Sequence, residues 1–212
     1  MSEQFHSQWG QDRFVVDALK GKRNGYYVDI GAFDGVTISN TLYLEQQLGW
    51  TGLNVEANPH TFKSLVAARK TPCVNLAIAP YEKEVDILLN GWSSAINDSF
   101  TSSEILKQNH QSVKVRAITV NALLKQYSVP SRFDYLSLDI EGGELEILEQ
   151  FDFGQWRFSV LTYEHNAHLT SHPDHKLMLE RQSRAESLLF RNGYKLVKNY
   201  EGDGFFISND IS

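Results

Sequence analysis

Apolar positions along this chain alternate between short continuous runs and longer stretches with helical spacing. Near the start, Trp9, Phe14, Val15, Ala18 and Leu19 are spaced to share one helix face. Gly21 and Gly25 punctuate, and YYVDIGAFDG (26–35) then predicts a buried strand feeding a tight glycine turn. LYLEQQLGW (42–50) is helical, TGLNVEANP (51–59) is a strand stopped by Asn58-Pro59, and residues 60–70 carry a third helix. CVNLAIAP (73–80) and EVDILLN (84–90) each read as a strand, while residues 91–112, rich in Ser and Asn, read as an excursion. SVKVRAITV is strand-like and VNALLKQY helical; FDYLSLDIEGGE predicts a strand and turn, with residues 144–151 as its helix. FSVLTYEHN is another buried strand, followed by the polar loop AHLTSHPDH and a helix running to Asn192. YKLVKNY and GFFIS close the chain around Glu201-Gly202-Asp203-Gly204, a hairpin signal. Strand–helix alternation ending in a hairpin predicts one α/β domain over residues 1–212, an open sheet with helices on both faces.

Composition narrows the partners. At 212 residues the chain fits one domain, and 42% hydrophobic with 22% charged residues excludes whole-chain disorder. A net charge of −6 without any long Lys/Arg run is a poor footprint for nucleic acid, so none is expected as partner. Cys73 is the single cysteine and has no partner for an internal disulfide, which points to a reducing compartment. No apolar run reaches the roughly 18 residues of a membrane span, and MSEQFHSQWGQDR lacks a signal-peptide core. The expectation is a cytoplasmic globule.

In an open α/β sheet, ligands sit beyond the carboxyl ends of the strands. Those ends carry four polar clusters, at residues 29–34, 56–58, 139–144 and 164–166. The first holds Gly31 and Gly35, read here as leaving the backbone open to a ligand. Phe33 stands where a dinucleotide motif needs its middle glycine, so NAD and FAD lose their pyrophosphate seat. The nucleotide-triphosphate loop is missing too. Glu56 ends the second strand, where a carboxylate accepts hydrogen bonds from both ribose hydroxyls. A ribose site without a pyrophosphate cradle fits S-adenosylmethionine.

SQWGQDRFV (7–15), YYVDIGAFDGVTISNT (26–41), LGWTGLNVEANP (48–59), YLSLDIEGGELEIL (135–148) and LTYEHN (161–166) together resemble the FkbM family of S-adenosylmethionine-dependent methyltransferases. Where that family commonly has Glu-Pro-Asn-Pro, this chain has Glu56-Ala57-Asn58-Pro59. The resemblance implies a class I methyltransferase (Rossmann-like) fold, a seven-stranded mixed sheet with its last strand antiparallel. It implies that Asp29, Gly31, Asp34 and Glu56 face the cofactor, with Asn40 nearby and Gln11 toward the methionine end. It also implies O-methylation in the biosynthesis of sugars, glycans and natural products. The competing expectations are a non-sugar small molecule or RNA as acceptor, a catalytically silent cofactor-binding module, and one domain excised from a longer glycan-modifying polypeptide.

An alcohol acceptor needs a base or a metal over the methyl group. His165 has the ordinary pKa closest to neutrality and is the first choice of base, with Asp139, Glu141 and Glu164 beside it. Asp139, Glu164 and His165 also form a candidate set for one divalent cation, Mg²⁺ or Mn²⁺. Glu144 is read as favouring its helix dipole. His165, His168, His172 and His175 invite zinc, but Pro173 breaks their spacing and no Cys joins them, so they are read as rimming an acceptor cleft. Trp92, Tyr163 and Phe33 are candidate sugar-stacking walls, with core packing the commoner fate of such residues.

Overall fold

Tyr26–Ile30 (β1) and Thr51–Glu56 (β2) lie side by side in parallel, with Asp29 level with Asn54. The computed structural model describes residues 5–97 and 111–211, apart from the Trp92 side chain. Residues 98–110, most of the Ser- and Asn-rich stretch, lie outside the described residues, as does the stacking role read for the Trp92 ring. Gln11–Ala18 (α1) precedes β1, Leu42–Leu48 (α2) links it to β2, and Pro59–Ala68 (α3) follows. The start of α3 is built locally: Asn58 Oδ1 accepts from His60 N at 2.9 Å, and Pro59 occupies the first turn. Cys73–Asn75 (β3) then joins β2 at the edge of the sheet.

Beyond β3 the chain leaves this sheet. Ala77–Ile78 (β4), Lys83–Leu88 (β5), Ala95–Ile96 (β6) and Ser112–Ile118 (β7) form a second sheet in the order β4-β7-β5-β6. The run CVNLAIAP is therefore two strands in two sheets, split at Leu76. At the split, Asn75 Nδ2 donates to the carbonyls of Glu56 (2.8 Å), the last paired residue of β2, and of Ala57 (2.9 Å), the residue after it. Ala77, Ala79, Val85, Ile87, Val115 and Ala117 give the second sheet its own apolar cluster.

Val120–Gln126 (α4), Arg132–Leu138 (β8), Glu144–Gln150 (α5), Arg157–Glu164 (β9) and His175–Arg191 (α6) return the chain to the main sheet. Tyr194–Tyr200 (β10) and Asp203–Ser208 (β11) close it. The order is β10-β11-β9-β8-β1-β2-β3, with β11 antiparallel to both its neighbours. This is the seven-stranded class I methyltransferase arrangement. β10 lies at the open edge, its register shifts between Leu196 and Lys198, and Val197 and Tyr200 are exposed.

Strand alternation sorts the side chains between two helical layers. Val28, Ile30, Val55, Leu138, Leu161 and Tyr163 pack with Leu124 of α4, Leu148 of α5 and Leu189 of α6. On the opposite face, Tyr27, Tyr135 and Val160 pack with Val15 of α1 and Leu44 of α2. Burying each such aliphatic side chain contributes about 1.5–3 kcal/mol.

The glycine turn after β1 has a cause other than the one read from sequence. Gly31 has φ +94°, and a Cβ there would stand 1.6 Å from the carbonyl oxygen of Asp139. At Gly35 (φ +78°) a Cβ would meet Leu65 Cδ1 at 2.7 Å and Arg69 Cγ at 2.8 Å. At both glycines the space a Cβ would take is filled by protein atoms. Gly31→Ala is accordingly expected to destabilise the fold by roughly 4 kcal/mol or more, since neither the φ nor a backbone carbonyl yields cheaply. A urea midpoint equal to wild type would show that the end of β8 relaxes instead.

Candidate active site

The strand alternation that builds the core also decides which polar groups meet. Glu56, Asp139 and Glu164 fall on the α1–α2 side, in phase with Tyr135 and Val160. β11 runs the other way, and its first residue, Asp203, is paired directly with Glu164. Asp139, Glu141 and Glu164 each offer an oxygen, all within 4.8 Å of one another. Sequence reading missed Asp203, although a hairpin at Glu201-Gly202 next to β9 carries that pairing as its signal.

A cleft of about 530 Å³, counting its open mouth, runs between the two sheets. The main sheet supplies Gly31, Phe33, Glu56, Asp139 and Glu141 to its lining; Leu76, Ala77, Ile78, Ile87 and Ile96 supply an apolar wall. The wall from the second sheet is a contribution that strand-by-strand reading did not show. Glu56 is 8% exposed, and its two oxygens accept from Phe33 N (2.9 Å) and Asn58 N (2.7 Å). Each oxygen keeps a lone pair for a ligand hydroxyl.

The other residues read from sequence lie outside this lining. Asp29 is buried behind it, accepting from Thr41 Oγ1 at 2.6 Å. Asp34 closes its own loop, accepting from Val36 N, Thr37 N and Thr37 Oγ1. Asn40 donates to Ser137 Oγ at 3.0 Å, and its buried Oδ1 has no partner. Gln11 reaches the carboxylate cluster from α1, donating to Asp203 Oδ2 while its Oε1 accepts from Trp9 N.

His165 does not join the carboxylates. One residue beyond Glu164, it turns to the opposite side, where its ring lies 5.7 Å from that of Tyr163. Its Nδ1 accepts from Ala167 N at 3.0 Å, so the lone pair a base needs is already used. Burial lowers its pKa to about 4, leaving the imidazole neutral. Of the set read for a divalent cation, Asp139 and Glu164 do come together, but with Glu141 and not His165. The histidine-rich loop is internally bonded: His172 Nδ1 accepts from Asp174 N, and His175 Nε2 meets the Ala167 carbonyl. Among the described residues these histidines form no metal-binding group. Tyr163 is 3% exposed in the core, whereas Phe33 does line the cleft. Glu144 Oε1 accepts from Ile140 N and Gly142 N and so fixes the turn after β8.

Asp139, Glu141 and Glu164 are half-buried and crowd one another. Burial, and then Glu141, Asp203 and Glu144, hold Asp139 well above the usual carboxylate range. Burial and the Asp139 charge do the same to Glu164. Burial pushes Glu56, Glu141 and Asp203 each up to about 7. A protonated and a charged carboxyl are therefore both at hand near neutral pH.

Methyltransferase FkbM domain is the family whose profile matches, over residues 29–196. The chain belongs to the FkbM family of S-adenosylmethionine-dependent methyltransferases. The FkbM match spans every element from β1 to the start of β10, including the second sheet. A search of curated proteins found no match. Among solved structures, precorrin-6y C5,15-methyltransferase from Geobacter metallireducens is 14% identical, covering 92% of this chain and 84% of its own, with a TM-score of 0.49. A putative RNA methyltransferase from Pyrococcus horikoshii is 10% identical, with coverages of 94% and 84% and a TM-score of 0.44. The N-terminal domain of EvdMO1, solved in the presence of SAH and D-fucose, is 12% identical, with coverages of 95% and 82% and a TM-score of 0.44.

The raised carboxyl groups make this FkbM domain's stability depend on pH with a definite sign. Folding raises the pKa of Glu56, Glu141 and Asp203, so the native state binds protons more tightly than the unfolded chain. Their stabilisation is complete below about pH 4 and is lost as the pH rises through about 7. The melting temperature without ligand is expected to fall between pH 5 and pH 8, and Asp203→Asn to flatten that fall. A wild-type melting temperature that climbs across this window would contradict the assignment.

Proposed function

We propose that this chain transfers a methyl group from S-adenosylmethionine to a hydroxyl of a saccharide or glycan, acting as one catalytic domain. The reading rests on one observation: Asp139, Glu141 and Glu164 converge beside a cleft that also holds Glu56. The donor, when bound, supplies a methyl carbon on a sulfonium leaving group. Glu56 would accept from the ribose hydroxyls, and Leu76, Ile78 and Ile96 supply an apolar wall against which the adenine would lie. Gln11 and Asp203 stand at the methionine end, where a carboxylate suits an ammonium.

Asp139 acts as the base, in place of His165. Held ionised by the positive donor, its carboxylate would take the acceptor proton as the acceptor oxygen bonds the methyl carbon and the carbon–sulfur pair stays on sulfur. A base with a raised pKa is better matched to an alcohol than an ordinary carboxylate. Glu141 and Glu164 would accept from neighbouring hydroxyls of a polyol acceptor. No helix among the described residues is long and apolar enough to cross a membrane. The single Cys73 thiol supports a cytoplasmic location.

Two variants separate base from donor site. Asp139→Asn is expected to lower turnover by roughly 10²–10⁴ while leaving S-adenosylmethionine affinity near wild type. Glu56→Gln is expected to do the reverse, weakening the donor with turnover at saturation retained. Labelled-donor transfer to a glycan panel, read by mass spectrometry, supplies the assay. A folded Asp139→Asn protein with full turnover would remove Asp139 from the mechanism.

The same three oxygens favour a second reading, a divalent cation that binds the acceptor, since hard cations take oxygen ligands. In that case exhaustive chelation abolishes turnover and Mg²⁺ or Mn²⁺ restores it. Full activity in excess chelator leaves the carboxylate base alone.

A further inference from the structure

We propose that Arg69, outside the cleft, is the positioning residue that sets the glycine turn against Glu56 and so tunes donor binding. This rests on the donor site being the one described above. Arg69 lies at the end of α3, and its side chain is fully buried. Its Nε donates to Glu45 Oε2 at 2.7 Å. Nη1 reaches the Gly35 carbonyl (3.4 Å) and Ser39 Oγ (3.3 Å); Nη2 reaches Tyr27 OH (2.7 Å) and Thr41 Oγ1 (3.0 Å). Its stem fills the space below Gly35 where a Cβ would go.

One rigid piece therefore grips the turn at two points. Glu56 lies two residues before the Asn58 cap of α3 and holds Phe33 N; Arg69 ends α3 and holds Gly35, two residues beyond Phe33. Thr41 carries the same grip to Asp29 through its hydroxyl. A planar fork with five donors can satisfy these oxygens together, and a lysine ammonium cannot. Taking a guanidinium out of water is costly, and an apolar side chain would fill the space as well for stability alone. The fork's contacts to the turn are what an apolar filler would lack.

Arg69→Lys retains the charge beside Glu45 and loses the fork. It is expected to raise the dissociation constant for S-adenosylmethionine about tenfold or more, with turnover at saturating donor and the acceptor KM within about threefold of wild type. Glu45→Gln is the counterpart: it weakens the ion pair and lowers the melting temperature while leaving every Arg69 contact to the turn, so donor affinity stays at the wild-type value. Should Arg69→Lys not fold, Ser39→Ala removes one turn contact and is expected to weaken the donor in the same direction. Calorimetry on the full chain reads all of these. Wild-type donor affinity in folded Arg69→Lys or in Ser39→Ala overturns the proposal. Equal losses in donor affinity, acceptor KM and turnover, tracking the melting temperature across both Arg69→Lys and Glu45→Gln, overturn it as well. Failure of the wild-type chain to bind S-adenosylmethionine at all overturns the donor site itself.

Discussion

The pleats of five adjacent strands run in phase, and the chemistry of this domain depends on that alignment. Asp29 is level with Asn54 on one side and Ser137 on the other, and Ser137 is level with Thr162. Going two residues at a time toward the strand ends leads to Glu56, Asp139 and Glu164 on one face, with Asp203 opposite Glu164. A slip of one residue in any strand would send its carboxylate into the apolar layer beneath α4–α6. Gly31 guards this register, because β1 and β8 approach so closely that only hydrogen fits between its Cα and the Asp139 carbonyl.

Close approach of like charges is the second consequence. Asp139, Glu141, Glu164 and Asp203 face one another, while the strong cationic partners lie elsewhere. Arg69 is committed to Glu45, and Arg181 to Glu146. Proton uptake relieves the crowding without a ligand, and a positively charged ligand relieves it equally well. A sulfonium donor with an ammonium group has the charge such a well favours.

Much of this was legible beforehand. The order of strands and helices, the closing hairpin, and the positions of Gly31, Glu56 and Asp139 at strand ends follow from apolar runs and turn residues. What escaped was of two kinds. Glu164 ends β9 and His165, the next residue, turns to the opposite side, yet chemistry by residue type put them together. The split at Leu76 follows Asn75, which bonds two distant carbonyls, and no local pattern signals a contact between residues 75 and 56. The glycines were found at the right positions, but sequence spacing does not show that protein atoms fill the space a Cβ would take.

β10 gives the sheet a boundary as well as an end. Its ladder to β11 shifts register between Leu196 and Lys198, and the exposed side of the strand bears Lys195, Lys198 and Asn199. A strand arriving from another chain would meet an uneven row of backbone donors and acceptors and would have to desolvate ammonium groups to pair with it. Carboxylates thus gather at one end of the sheet, while ammonium groups along its open margin make the addition of a further strand costly.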